Sequence, residues 1–504
     1  MTLLLAVMFM ALAVDTGRLW MQQRKLQSIA DIASMEAARA IGCSADSGSL
    51  LSAAQAAAAR NGYSGQLSQN PNVVELGSVT TVSGIREFSN DSEQEAVRVV
   101  ATESVPASLI AGGLFGNQVV LHAEAVSSAD PSLVAFTAGS FLLNVNTESA
   151  TLMNELLGNL LGSSLNLSVL SYQSLASADL NLSNLLRAQG EVDNIDDLLN
   201  TELALSDLLN LVADGVSDAG TAGALATSAL QQLSSGITNT TTLKLADILA
   251  VSAPNEDATA ELSLNAFSLI PAAAFFVNEG SPPVRLDNIP GLPGLEADIT
   301  ISQAPLLAVG PSEGSNCAVA HTALLNLGVS ASVAGVLSVT LNAVVGQGVA
   351  ELTEFQDDGD ASHVVIAATP GIVSVDGSAT VTVLGIPIGI GIDLPVETTV
   401  AQDLEFDVSH PTADNLPQTM TAAGSTGDSL ENALQQEDIL IIPVLGALVE
   451  PLVETAINTL LAPLLGEIGR RLLDPLLEML GIRLGGMDVT LHDIQLRQAR
   501  PLII

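Results

Sequence analysis

The spacing of apolar and polar positions changes several times along the chain, and each change marks an element. Residues 3–14 are almost wholly apolar. Directly behind them Leu19, Leu26, Ala30, Ala33 and Ala37 return at spacings of seven, four, three and four, which is one face of an α-helix. Arg18, Gln22, Gln23, Lys25 and Gln27 fall elsewhere around that helix, and Gly42 supplies a stop. The pattern predicts one long helix, lipid-soluble in its first third and carrying a narrow alanine seam in the rest. A bilayer span needs roughly 20 apolar residues, so the opening segment reads as a truncated anchor. An in-frame upstream start is expected to supply about ten more residues, including a basic leader.

Downstream, "LLSAAQAAAARNGYSG" predicts a second short helix ending at Asn61-Gly62, and "VVELGSVTTV" and "AVRVVATESV" predict strands separated by the loop "FSNDSEQE". "SFLLNVN" predicts a strand, "ATLMNELLGNLLG" a helix and "LNLSVLSYQSL" another strand. Residues 190–240 are helical in pattern, most clearly in "DDLLNTELALSDLLNLVADGV". Pro and Gly cluster in residues 278–294, where a domain boundary is expected. From there to His410 the chain is rich in Val, Ile, Thr and Gly and reads as strands, followed by a loop from Ser409. Residues 445–480 are apolar but carry Pro451, Pro463 and Pro475, so they read as a set of short helices. Glu450, Glu454, Glu467, Arg470 and Arg471 argue against a membrane span there.

Composition makes this a packed acidic protein. The 504 residues carry 55 Asp+Glu against 15 Lys+Arg, a net charge of -40, yet 48% of residues are hydrophobic. That apolar content can offset the entropy of ordering, which a disordered acidic tail cannot do. Between Asp287 and Gly469 there is no Lys or Arg. A nucleic-acid surface needs clustered cations, so that partner class is excluded. The two cysteines, Cys43 and Cys317, are too few for a disulfide scaffold and lack a second pair for zinc. They read as unlinked thiols, with one disulfide as the alternative.

The residues of the opening helix carry a resemblance. Ala13, Val14, Asp15, Gly17 and Arg18, then Leu26-Gln27, Ala30-Asp31, Ala33 and Ala37-Ala38, resemble the N-terminal segment of TadG-like proteins of the tight-adherence (Flp) pilus assembly system. A second similarity follows in residues 97–127, where a strand, Val-Pro, a helix and a further strand close the membrane-proximal domain of that family. The resemblance covers about the first 130 residues. It implies a cytoplasmic N-terminus, an uncleaved helix in the inner membrane and a body in the periplasm or exposed outside. It also implies partners among other pilus-assembly proteins or pseudopilins. Asp15, Gly17, Arg18, Leu26, Gln27, Ala30, Asp31, Ala33 and Ala37 are the motif and interface residues it marks. Family members have basic residues and a fuller apolar span before the Ala-Val-Asp, whereas Met1 here falls inside that span. Arg18, Arg24 and Lys25 follow the apolar run, so literal positive-inside counting gives the opposite orientation. The family pattern is preferred.

Candidate chemistry is sparse. His122, His321, His363, His410 and His492 are scattered singly, and no His-Glu-x-x-His, Gly-x-Ser-x-Gly or Walker phosphate loop occurs. "EFQDDGDASH" concentrates Asp357, Asp358 and Asp360 at a turn, but it lacks the order and the distant Glu of a calcium loop and reads as an Asp-Gly hairpin turn. No catalytic residue, cofactor or metal is expected.

The expected fold class is α+β. Residues 1–42 form the anchor helix and 43–131 a small pilin-like helix-plus-sheet module. Residues 132–278 form a mixed strand and helical domain, and 295–504 a β-rich domain closed by helices and a strand. The function this supports is a membrane-anchored, extracytoplasmic structural or assembly component of a Tad/Flp-type pilus or related adhesion system, not an enzyme. An envelope lipid- or ligand-binding protein is the alternative, from leucine-rich helices set against Val/Gly-rich strands, and a hydrolase without a recognisable motif ranks last.

Overall fold

The computed structural model describes all residues other than 1, 40–46, 83–84, 91–95, 109–117, 130–131, 140–146, 191, 193, 217–219, 252–261, 288, 290, 293, 312–316, 334, 358–359, 372, 384, 395–399, 413–414, 423–439, 442–449, 484–485, 497–498 and 501–504. The fold is α+β, as the patterns predicted, and the chain divides into two compact units. The first comprises residues 1–132, 311–317 and 496–504, and the second residues 133–310 and 318–495.

In the first unit, helix α1 (Thr2–Arg39) is continuous from the apolar opening through the alanine seam. Helix α2 (Ser47–Arg60) follows, and then strands β1 (Val73–Val82), β2 (Ile85–Ser89), β3 (Ala96–Pro106) and β4 (Gln118–Ala129). The sheet order is β2-β1-β3-β4, and the short strand Ala499–Arg500 pairs with the end of β4. The expected loop "FSNDSEQE" begins inside β2, because Ile85–Ser89 folds back on β1 with Val82 opposite Ile85. The helix that the resemblance implied after Val105-Pro106 falls on residues 109–117, outside the described ones. The core is a sandwich of small residues. Leu26, Ile29, Ala30, Ala33 and Ala37 of α1 pack with Ala54 and Ala58 of α2 and with Val97, Val99 and Ala101 of β3.

In the second unit, a seven-stranded antiparallel sheet runs in the order Val284–Leu286, Leu295–Gln303, Leu324–Val333, Leu337–Val345, Val373–Val383, Ile386–Leu394 and Leu440–Ile441. Residues 278–294, where a boundary was expected, lie inside this unit, and Val284–Leu286 is the sheet's edge strand. Its strands alternate strictly, so Leu337, Val339, Leu341 and Ala343 are buried while Ser338, Thr340 and Asn342 are exposed. Helices Thr147–Leu161 and Ala266–Phe276 and the helical run 450–479 contribute side chains to the same core.

Three expectations for this unit are corrected. "LNLSVLSYQSL" is not a strand: Ser168 caps a helix, Val169–Ala176, by accepting from the Ser171 N–H at 3.1 Å, and Tyr172 and Leu175 turn inward together. Part of the loop after Ser409 is a strand, Gln418–Ala422, paired with Gly486–Gln495. Residues 450–479 are one unbroken run, because the helix widens into π turns at Ile457–Leu461 and Gly469–Leu473. Each π segment holds the residue four before a proline, Thr459 before Pro463 and Arg471 before Pro475, which is where the ring would strike a carbonyl in an α-helix. "SFLLNVN" falls on residues 140–146, outside the described ones.

Candidate interface on the N-terminal helix

Helix α1 has two surfaces of different character, and the sequence explains both. Its C-terminal half turns the seam inward: Leu26, Ala30, Ala33 and Ala37 are all fully buried. Methyl-sized side chains let the helix approach the sheet and α2 closely, so the alanine seam is covered by the sheet and α2 of the same unit.

Polar residues beside the seam secure this packing. Gln23 Nε2 donates to the His122 carbonyl at 2.7 Å and Gln27 Nε2 to the Glu124 carbonyl at 2.8 Å. These carbonyls belong to β4, whose outer side, among the described residues, pairs with another strand only at Ser128 and Ala129. Two glutamines one helical turn apart therefore occupy acceptors two residues apart on a strand edge, groups that would otherwise invite another strand. Ser34 and Ser127 share a buried hydroxyl contact at 2.7 Å, and the Ser34 hydroxyl also donates to the Asp31 carbonyl at 2.9 Å. Further up, the Arg18 guanidinium donates to the Pro106 carbonyl, and the buried Asp15 carboxylate accepts from the Ser108 hydroxyl. Asp15 thus has a hydrogen-bond partner within its own unit.

The motif residues consequently separate. Leu26, Ala30, Ala33 and Ala37 are packed, Asp15, Arg18 and Gln27 hold β3, β4 or the residues after β3, and Asp31 is exposed with its carboxylate accepting from Gln27 at 2.9 Å. Gly17 is exposed, and a Cβ there would meet nothing within 4 Å. Between residues 9 and 21, several large apolar side chains of α1 face outward among the described ones. Phe9, Met10, Val14, Trp20 and Met21 are each more than half exposed, and the Arg24 guanidinium lies 4.8 Å over the Trp20 ring. Sequence reasoning missed Gln23 and Ser34 as holding residues, since nothing in a helical pattern shows which polar side chain faces a strand edge.

The cysteine expectation is corrected. Cys317 is disulfide-bonded, and the chain's other cysteine is Cys43, which lies outside the described residues. No group of three or more His, Cys, Asp or Glu able to hold a metal occurs among the described residues. In the acidic turn, Asp357 Oδ1 lies 3.3 Å from His410 Nε2. Among the described residues no helix is long and apolar enough to cross a membrane.

A long N-terminal helix, apolar in sequence at its start and docked on an antiparallel sheet at its other end, defines a helix-on-sheet module. The family comparisons agree with it: residues 1–40 match the Flp pilus-assembly TadE/G-like family, and residues 36–127 match the Tad-like Flp pilus-assembly family. The N-terminal part of the chain, about 130 residues, is therefore TadG-like. Residues 149–275 match a domain of unknown function. Neither the curated proteins nor the solved structures gave a match.

Proposed function

We propose that this protein is a structural or assembly component of a Tad/Flp-type pilus, anchored in the inner membrane by the first part of α1 with its folded body outside the cytoplasm. The observation that carries the reading is the division of α1. The two pilus-assembly matches cover this helix and its sheet, and five large apolar side chains stand exposed on its N-terminal half. Such a surface is what a helix presents when lipid or a neighbouring helix covers it. The disulfide at Cys317 supports the placement, because structural disulfides persist in oxidising compartments such as the periplasm. The partners are other pilus-assembly proteins or pseudopilins that meet the uncovered part of α1. The protein performs no chemistry, and its contribution is to hold or pass on pilus components.

The test is genetic. Removing the gene should abolish or strongly reduce surface pili counted by electron microscopy, and plasmid-borne wild type should restore them. Normal piliation in the deletion strain would refute the reading.

A further inference from the structure

Helix α1 carries a second stripe besides the buried seam, and this one stands exposed. At about 100° per residue, Met10, Val14, Gly17, Trp20, Met21 and Arg24 fall on the side of the helix opposite Leu26, Ala30 and Ala37. Trp20 is 60% exposed and Met21 66%, and the stripe ends where the Arg24 guanidinium lies 4.8 Å over the Trp20 ring. Positive charge collects here in a chain whose net charge is -40: Arg18, Arg24 and Lys25 follow one another, and no Asp or Glu occurs between Asp15 and Asp31. Arg24 and Lys25 are exposed, and among the described residues neither pairs with a carboxylate.

We propose that residues 20–25 of α1 stand in the headgroup layer of a phospholipid bilayer, with the Trp20 ring at the edge of the hydrocarbon and Arg24 and Lys25 on the lipid phosphates. The proposal rests on the reading of α1 as the membrane anchor and adds where the bilayer surface meets it. A tryptophan suits that boundary because its ring is apolar and its N–H can stay wet. Long basic side chains lay their stems on apolar surface and bring their charges to the phosphates. The dimensions agree. The headgroup layer is about 5–8 Å deep on each side of the hydrocarbon, and the 4.8 Å between ring and guanidinium fits within it. The sheet gives a second, independent sign of the same level. Arg18 holds the carbonyl of Pro106, which faces Gln118 across the β3–β4 pair, and Gln23 holds that of His122. Val119 and Val120, between those two ties, therefore stand beside Trp20 along the helix, and both are exposed. Asp15, nearer the apolar end, is buried and bonded to Ser108, so its desolvation is offset inside the unit. Charge selects the occupant. An acidic body is repelled by anionic lipid, so a locally positive end is the part that can approach it. An apolar partner helix would leave Arg24 and Lys25 without an anion.

Trp20 is the chain's single tryptophan, so the native fluorescence of the full chain reports its depth. The protein is reconstituted into phosphatidylcholine vesicles, with or without phosphatidylglycerol, carrying a nitroxide quencher on the headgroup, at the top of the acyl chain or near its end. Trp20 emission should shift to the blue. Quenching should be strongest from the headgroup and the top of the chain and weakest from its end. Phosphatidylglycerol should increase that quenching, and Arg24→Gln combined with Lys25→Gln should remove the increase with an unchanged far-UV circular dichroism spectrum. Val120→Asp, which sets a carboxylate at the same level, should weaken quenching in both vesicles. Strongest quenching from the chain end, a Trp20 shielded from every quencher, or an unchanged response in either variant would overturn the proposal. Shielding is the result that a partner helix over the stripe would give. Flotation of the vesicles separates this proposal from the reading beneath it. Protein that floats yet gives one of those results leaves the anchor standing, and protein that does not float overturns both.

Discussion

At the scale of single residues, His492 shows how strongly position outweighs residue type. It stands alone in the sequence, and it is the extra residue of a β-bulge in Gly486–Gln495, between Leu491 and Asp493. The bulge turns its imidazole into the core, 3.1 Å from the Thr137 hydroxyl, and burial lowers its pKa to about 4. The unfolded chain binds this proton from its ordinary value near 6.5 downward, while the fold refuses it until about pH 4. Stability from this group is therefore complete above about 6.5 and is lost as pH falls toward 4, by about 3 kcal/mol over the window. Asp179 and Asp493 are shifted upward by burial, so they bind protons earlier in the fold than in the unfolded chain and oppose that loss at the acid end. Chemical denaturation between pH 7 and 4.5 should show a smaller acid-dependent loss in His492→Gln than in wild type. Parallel curves for the two proteins would remove the buried imidazole as the cause. Nothing in the sequence marked His492, because a bulge is a property of the pairing between two strands 355 residues apart.

At the scale of elements, legibility followed locality. The length of α1, the position of α2 and strands β1 and β3 of the first sheet were readable, since each is set by its own periodicity. Val169–Ala176 was misread because its capping Ser168 sits in a run whose apolar residues fit either period. The run 450–479 was misread because proline rules describe α-helices, and a π turn removes the clash on which they rest. The motif residues were legible as a helix face, while their hydrogen-bond partners on β4 were not. The alanine seam allows a sharp prediction. Ala30, Ala33 and Ala37 are fully buried between sheet and α2, so replacing all three with Leu should destabilise the first unit by about 1–3 kcal/mol for each overpacked site. Limited proteolysis should then cut the first unit at lower denaturant than in wild type, while membrane fractionation is unchanged because the apolar run is untouched. Wild-type resistance in the triple variant would mean that the seam tolerates bulk and that its small residues serve something other than close packing.

At the scale of the whole molecule, the two units differed in how far sequence reached. The first is made of residues 1–132 completed by two later stretches, 311–317 and 496–504. A reading that moves along the chain could find its beginning but not the segments that finish it, nor the bond at Cys317. The second unit's strands were readable from alternation, while the way its helices close over the sheet was not, because that packing joins side chains from elements far apart in the chain. The proposed role depends above all on the body standing outside the cytoplasm with α1 holding it to the membrane. Alkaline phosphatase, which folds only in an oxidising compartment, fused to the C-terminus of the full chain tests it directly. The account predicts a phosphatase-active, membrane-bound fusion in which Cys317 is protected from thiol-reactive reagents until reduction. An inactive phosphatase fusion, paired with a fluorescent cytoplasmic reporter at the same position and a Cys317 that reacts without reduction, would contradict it.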